Sequence, residues 1–139
     1  MIVEIKKQDL FDLENPIIGH GCNCLGLMGA GIASTFKKRY PANFVAYAKL
    51  CNEKKCFRPG GVFVSHESDG RIIANLATQF YPGPDARLDW IEQSLLAFEK
   101  LGFEFIALPW IGCGIGGLNK EDVGMILEKS NLLIKVCEL

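Results

Sequence analysis

The chain has 139 residues, 49% of them hydrophobic, and a formal net charge of −1. That length predicts one domain with one core, spanning residues 1–139, and the hydrophobic fraction is enough to fill it. The near-neutral charge excludes non-specific nucleic-acid binding, which needs a basic face, so a phosphorylated ligand has to be held mainly by neutral backbone donors.

Met1 to Ile5 reads as a first strand, and Pro16 to Cys22 as a second. Met28 to Tyr40 reads as a helix, with apolar Ile32, Ala33 and Phe36 and the cations Lys37, Lys38 and Arg39 in its last turn. Pro41 punctuates, and Ala42 to Glu53 resumes as a second helix. Gly61 to His66 and Arg71 to Ala77 flank Ser68-Asp69-Gly70, a hairpin signal. Thr78 to Asp85 reads as a loop around Pro82-Gly83-Pro84. Ala86 to Leu101 is a helix with Leu88, Ile91, Leu95 and Phe98 on one face. Glu104 to Pro109 is a strand, Asn119 is placed to cap a helix running to about Lys129, and Leu132 to Glu138 closes the chain as a strand. This alternation predicts an α/β sandwich with a mixed sheet, whose ligands bind beyond the carboxyl ends of the strands.

Six cysteines are present: Cys22, Cys24, Cys51, Cys56, Cys113 and Cys137. Their spacing is irregular and the chain is long enough to fold without staples, so reduced thiols and a cytoplasmic setting are expected. Nothing at the start reads as a signal peptide, and no apolar run reaches membrane-spanning length. Cys22-x-Cys24 has no second compact pair, and His20 and His66 are the only histidines, so no metal site is expected.

Two glycine-rich turns carry most of the functional information. The first runs Gly19-His20-Gly21-Cys22-Asn23-Cys24-Leu25-Gly26-Leu27-Met28-Gly29-Ala30-Gly31-Ile32-Ala33, the second Leu108-Pro109-Trp110-Ile111-Gly112-Cys113-Gly114-Ile115-Gly116-Gly117-Leu118. A strand-to-helix turn of this kind exposes backbone N–H groups in front of a helix's positive end. One such turn holds one phosphate; two predict a ligand with two phosphates, gripped from both sides. Gly112-x-Gly114-x-x-Gly117 is also a literal dinucleotide fingerprint, with Glu138 in place of its ribose-binding acid. No further strands follow to build a nicotinamide half, and the absence of G-x-x-x-x-G-K-[ST] excludes a nucleotide-triphosphate loop.

Asn23, the run Met28-Gly29-Ala30-Gly31-Ile32-Ala33 and the run Ile111 to Gly117 resemble the two ligand loops of macro domains. Val3 to Leu10 resembles that family's first strand and its adenine-reading acid. The resemblance implies a three-layer α/β/α domain that binds ADP-ribose as a monomer, without a cofactor. In it Asp9 accepts from the adenine amine beside Leu10, and Asn23 bonds the distal ribose. Gly29, Ala30 and Gly31 lie over the distal ribose and the α-side phosphate, with Ile32 also among the ligand-binding residues. Gly112, Cys113, Gly114, Ile115, Gly116 and Gly117 wrap the diphosphate. Phe80, with Tyr81, lines the distal-ribose pocket, and Leu139 packs near adenine. Read without the resemblance, Asp9 is a solvated acid, Asn23 a turn former, and Phe80 and Leu139 simple packing.

His20-Gly21-Cys22-Asn23-Cys24 is similar to the branch that removes the 1″-phosphate of ADP-ribose-1″-phosphate, which makes His20 and Asn23 the catalytic candidates. A histidine beside a phosphate ester serves as acid, base or charge partner; the other reading of His20 is a strand-end imidazole that holds the loop by hydrogen bonds. The chain also resembles hydrolases that clear ADP-ribose from protein or DNA. Those use a lysine after the Thr of the middle loop, where this chain has Gln79, and the glutamate-directed kind uses an acid where Ile115 and Gly116 stand. An amide cannot form the covalent adduct an amine forms. Asp85 and Asp89 are the carboxylates left nearby. Three functions stay open: a phosphatase, a module that binds ADP-ribose or ADP-ribosylated partners without chemistry, and an ADP-ribosyl hydrolase.

Overall fold

The computed structural model describes residues 1–139. Six strands form one sheet: β1 (Ile2–Lys7), β2 (Ile17–Cys22), β3 (Val62–His66), β4 (Ile72–Ala77), β5 (Phe105–Leu108) and β6 (Leu133–Glu138), in the order β1-β6-β5-β2-β4-β3. Every neighbouring pair is parallel except β3 and β4, which form the antiparallel hairpin that Ser68-Asp69-Gly70 signals. The sheet is therefore mixed, as the alternation of elements predicts.

Four helices cover it in pairs: α1 (Gly31–Arg39), α2 (Pro41–Asn52), α3 (Leu88–Lys100) and α4 (Lys120–Lys129). One face packs Phe36 of α1 and Tyr47 and Cys51 of α2 against Ile18, Ile73 and Ala107. The other packs Ile91, Leu95 and Phe98 of α3 and Val123 and Leu127 of α4 against Leu76, Ile106 and Leu108. This is the three-layer α/β/α arrangement. The helix signals act as their chemistry requires. Pro41 occupies the first turn of α2, where its missing N–H costs nothing. The Asn119 side chain accepts from the Asp122 amide at 2.9 Å and starts α4. No helix is long and apolar enough to cross a membrane.

Two local features depart from the sequence reading. α1 begins at Gly31 rather than Met28, because Met28 to Ala30 are spent on the first glycine loop. The second glycine turn is not followed directly by a helix. Gly114–Gly116 make a single 3-10 turn, and α4 starts only at Lys120. A dinucleotide fingerprint must open a helix, so that reading fails here. Glu138 is also engaged elsewhere: its carboxylate accepts from the Trp110 indole at 2.6 Å and pairs with Lys120 at 3.5 Å.

Candidate ligand-binding site

The parallel strands β2 and β5 both point their carboxyl ends at one edge of the sheet, and each feeds a glycine loop there. Between the loops lies a cavity of about 600 Å³, a size in the normal range for small-ligand sites. Asn23, Gly29, Ala30, Gly31 and Ile32 line it from the first loop, and Gly112, Cys113, Ile115 and Gly116 from the second. The loops meet through Ile115, whose Cδ1 stands 3.3 Å from where a Cβ on Gly31 would be.

Backbone geometry explains the glycines at two positions. Gly112 has φ +75°, and a Cβ there would meet Ile91 at 2.8 Å and Leu118 at 3.1 Å, so both conformation and space exclude a side chain. Gly29 differs: its φ is not positive and a Cβ would meet nothing within 4 Å. Its open side is the cavity itself.

Asn23 is committed to shaping its own loop. Its Oδ1 accepts from the amides of Leu25 at 3.0 Å and Leu27 at 3.3 Å and from the Tyr47 hydroxyl at 3.0 Å, while Nδ2 donates to the Leu27 carbonyl at 2.8 Å. One of its two amide protons remains for the cavity. Turn former and cavity residue are thus the same side chain.

His20 does not reach the cavity, against the expectation of a group that touches the ligand. Its ring is fully buried, stacked on Phe36 with centroids 3.8 Å apart. Nε2 lies 2.9 Å from Asn75 Oδ1. Asn75 and Asn43 bond each other in both directions, Asn75 donates to the Phe63 carbonyl, and Ser65 donates to Asn43. That fixes Asn75 Oδ1 as acceptor and His20 Nε2–H as donor. Burial drives the imidazole pKa down to about 4, only partly opposed by the bond to Asn75. The strand-end, hydrogen-bonding reading of His20 matches this geometry.

Gln79 lines the cavity, but its Nε2 donates to the carbonyls of Tyr81 at 2.7 Å and Gly83 at 2.9 Å, bracing the loop after β4. Asp85 braces the same loop, accepting from the amides of Phe80 at 3.0 Å and Tyr81 at 2.9 Å; the Tyr81 amide foremost holds its carboxyl below the usual range. Asp89 is exposed on α3.

Several predicted residues stand outside the cavity wall. Asp9 caps a short 3-10 turn, Leu10–Asp12, by accepting from the Phe11 amide at 3.0 Å, and Leu10 is buried in the core. Phe80 packs half-buried against the core, and neither Gly114 nor Gly117 lines the cavity. Leu139 is 98% exposed and packs on nothing, because β6 ends at Glu138 and carries it past the sheet. Conversely, Trp110, Phe44 and Lys37 line the wall without having been singled out from the sequence. Their signal is weak: each reads as packing or as a helix-end charge until the fold brings it to the loops. Thr78 also lines the wall, its hydroxyl buried with no protein partner and 2.6 Å from where a Cβ on Gly21 would sit.

The electrostatics are simple. The wall holds no carboxylate and no histidine. Its thiols stay protonated: burial pushes Cys22 well up, and it raises Cys113 despite the opposing Lys120 charge. What remains is backbone N–H, one free Asn23 amide proton, the unpartnered Thr78 hydroxyl and one lysine, a surface suited to an anionic ligand.

Comparison with known proteins agrees with this architecture. The Macro domain family model matches residues 20–127, and the chain belongs to that family. A DNA ADP-ribosyl glycohydrolase of Mycobacterium tuberculosis is 34% identical over 122 residues, covering 83% of this chain and 34% of the relative, so the chain spans about a third of that protein's length. An ADP-ribose 1″-phosphate phosphatase of Candida albicans is 25% identical over 145 residues, covering 92% of this chain and 93% of the relative. Among solved structures, the macrodomain of Thermus aquaticus DarG superposes with a TM-score of 0.85 at 26% identity, covering 100% of this chain and 99% of that one. The chain is thus a macro domain of an ADP-ribose-binding family whose relatives include hydrolases of two kinds.

Proposed function

We propose that this chain binds ADP-ribose and hydrolyses the 1″-phosphate of ADP-ribose-1″-phosphate. One observation carries the reading: the cavity wall has no carboxylate, and at the position of the hydrolytic lysine it has Gln79, whose amide is tied to Tyr81 and Gly83. Such a wall accepts an additional phosphate without like-charge repulsion and offers no amine for a covalent adduct.

In the proposed reaction a water oxygen attacks phosphorus. The bond between phosphorus and the 1″ oxygen breaks, and a water proton ends on the released hydroxyl. The products are ADP-ribose and inorganic phosphate. The chain contributes position and charge stabilisation through loop N–H groups and the remaining Asn23 amide proton. His20 takes no proton in this scheme; it holds β2 to β4, from which both Asn23 and Gln79 project.

A second reading, removal of ADP-ribose from DNA, draws on the 34% identity to the mycobacterial glycohydrolase. Gln79 speaks against it where that chemistry needs a lysine. The test is parallel incubation with ADP-ribose-1″-phosphate, ADP-ribosylated protein and ADP-ribosylated single-stranded DNA. Phosphate release in the first arm alone is expected. Turnover only in the DNA arm replaces the phosphatase reading with the second. Binding without product in any arm leaves a recognition module.

A further inference from the structure

Lys37 is the only ionised side chain on the cavity wall. It sits one helical turn after Ala33 on α1, and the two share the stripe that faces the cavity. It has no carboxylate partner: the ion pairs of this protein join Arg87 to Asp85, Lys120 to Glu138 and Lys135 to Glu4. Arg39, two residues further on, turns away over the Phe11 ring, 5.0 Å from the centroid.

The Lys37 ammonium instead lies 4.5 Å from the centroid of the Phe44 ring, which also lines the cavity. The Phe44 ring stands 6.3 Å from that of Tyr47, and the Tyr47 hydroxyl donates to Asn23 Oδ1 at 3.0 Å. A continuous set of contacts thus joins Lys37 to Asn23, the residue assigned to the distal ribose. The ring face holds the ammonium at the cavity wall, where it makes no hydrogen bond and no ion pair to the protein.

We infer that Lys37 is the specificity-determining residue for a phosphate attached beyond the distal ribose. This rests on the proposed orientation of ADP-ribose in the cavity. The phosphate has two sources of one chemistry: a monoester on C1″, or the nearest phosphodiester of a nucleic-acid strand carrying ADP-ribose. In either case Lys37 supplies the charge that separates the phosphate-bearing ligand from ADP-ribose itself.

The test is Lys37→Met, which keeps an unbranched side chain on α1 and removes the charge, with Lys37→Arg as the charge-restoring control. Calorimetry compares ADP-ribose, ADP-ribose-1″-phosphate and an ADP-ribosylated single-stranded oligonucleotide, with the unmodified oligonucleotide as blank. The wild type is expected to prefer a phosphate-bearing ligand over ADP-ribose. That preference falls by about tenfold in Lys37→Met, the scale of one charge-assisted hydrogen bond, and recovers in Lys37→Arg. It also shrinks as salt rises. Loss confined to the monoester or to the oligonucleotide identifies the source. A preference unchanged for both ligands overturns the assignment. Turnover is read separately: a wild type that shows the Lys37-dependent preference yet releases no phosphate keeps this inference and removes the hydrolytic one.

Discussion

His20→Gln separates a buried structural imidazole from one that meets solvent. In the folded protein the ring is neutral down to about pH 4, while in the unfolded chain it titrates near the ordinary imidazole value of 6.5. Between those values the unfolded state binds a proton that the folded state excludes. Stability is therefore fully present above pH 6.5, falls with decreasing pH, and levels off below pH 4. At 1.36 kcal/mol per pH unit the whole effect is about 3 kcal/mol, and the part between pH 8 and pH 5 is about 2 kcal/mol. Glutamine keeps an N–H for Asn75 but cannot titrate. Urea denaturation of both proteins at pH 8 and pH 5 gives the answer directly. The wild type is more stable than the variant at pH 8, and its advantage shrinks by about 2 kcal/mol at pH 5, equivalent to roughly 4–8 °C in Tm. Carboxylates held low by their partners, such as Asp85 and Glu138, also lose stabilising bonds on acidification, but they do so equally in both proteins. An advantage that stays constant with pH means that His20 titrates normally, and the sealed site described for it is wrong.

Glycine substitutions distinguish ligand contact from folding. Gly29→Val places its side chain in open cavity, so ADP-ribose binding is expected to drop at least a hundredfold with the melting temperature almost unchanged; normal binding would remove the first loop from the site. Gly112→Ala forces a Cβ into Ile91 at φ +75° and is expected to cost about 1–3 kcal/mol of stability, read by urea denaturation. Asp9→Ala removes the cap on the Phe11 amide, for a loss of about 1 kcal/mol. If Asp9 also reads adenine from outside the cavity wall, ADP-ribose affinity falls tenfold or more by calorimetry, and an unchanged affinity leaves Asp9 as a cap only.

The sequence was legible where local chemistry and tertiary packing agree. The hairpin at Ser68-Asp69-Gly70 and the Asn119 cap of α4 are each set by one or two residues and form as read, while Pro41, read as a break before a helix from Ala42, is itself the first residue of α2. Both glycine loops were legible for the same reason, since strand exits followed by glycine leave few conformations open. Placement across the fold was not. A histidine beside a glycine loop looks reactive in sequence, but strand alternation turns His20 inward to Phe36 and Asn75. Helical spacing assigned Lys37 to the end of a helix without showing that Phe44, in the next helix, would hold it on the cavity wall. Glu138 looked like a ribose-binding acid by distance along the chain; in space it meets Trp110. The second loop resembled a helix entry, but Gly117 at φ +88° ends its 3-10 turn before α4 begins.

Two glycine loops at one sheet edge are proposed to form an ADP-ribose site. Calorimetric titration of the wild-type protein with ADP-ribose, with AMP alongside, tests it most directly. A micromolar dissociation constant is expected for ADP-ribose, about −8 kcal/mol, with weaker binding of AMP, which lacks the second phosphate and distal ribose. Absence of heat and of any thermal shift with ADP-ribose, or equal affinity for AMP, would contradict it.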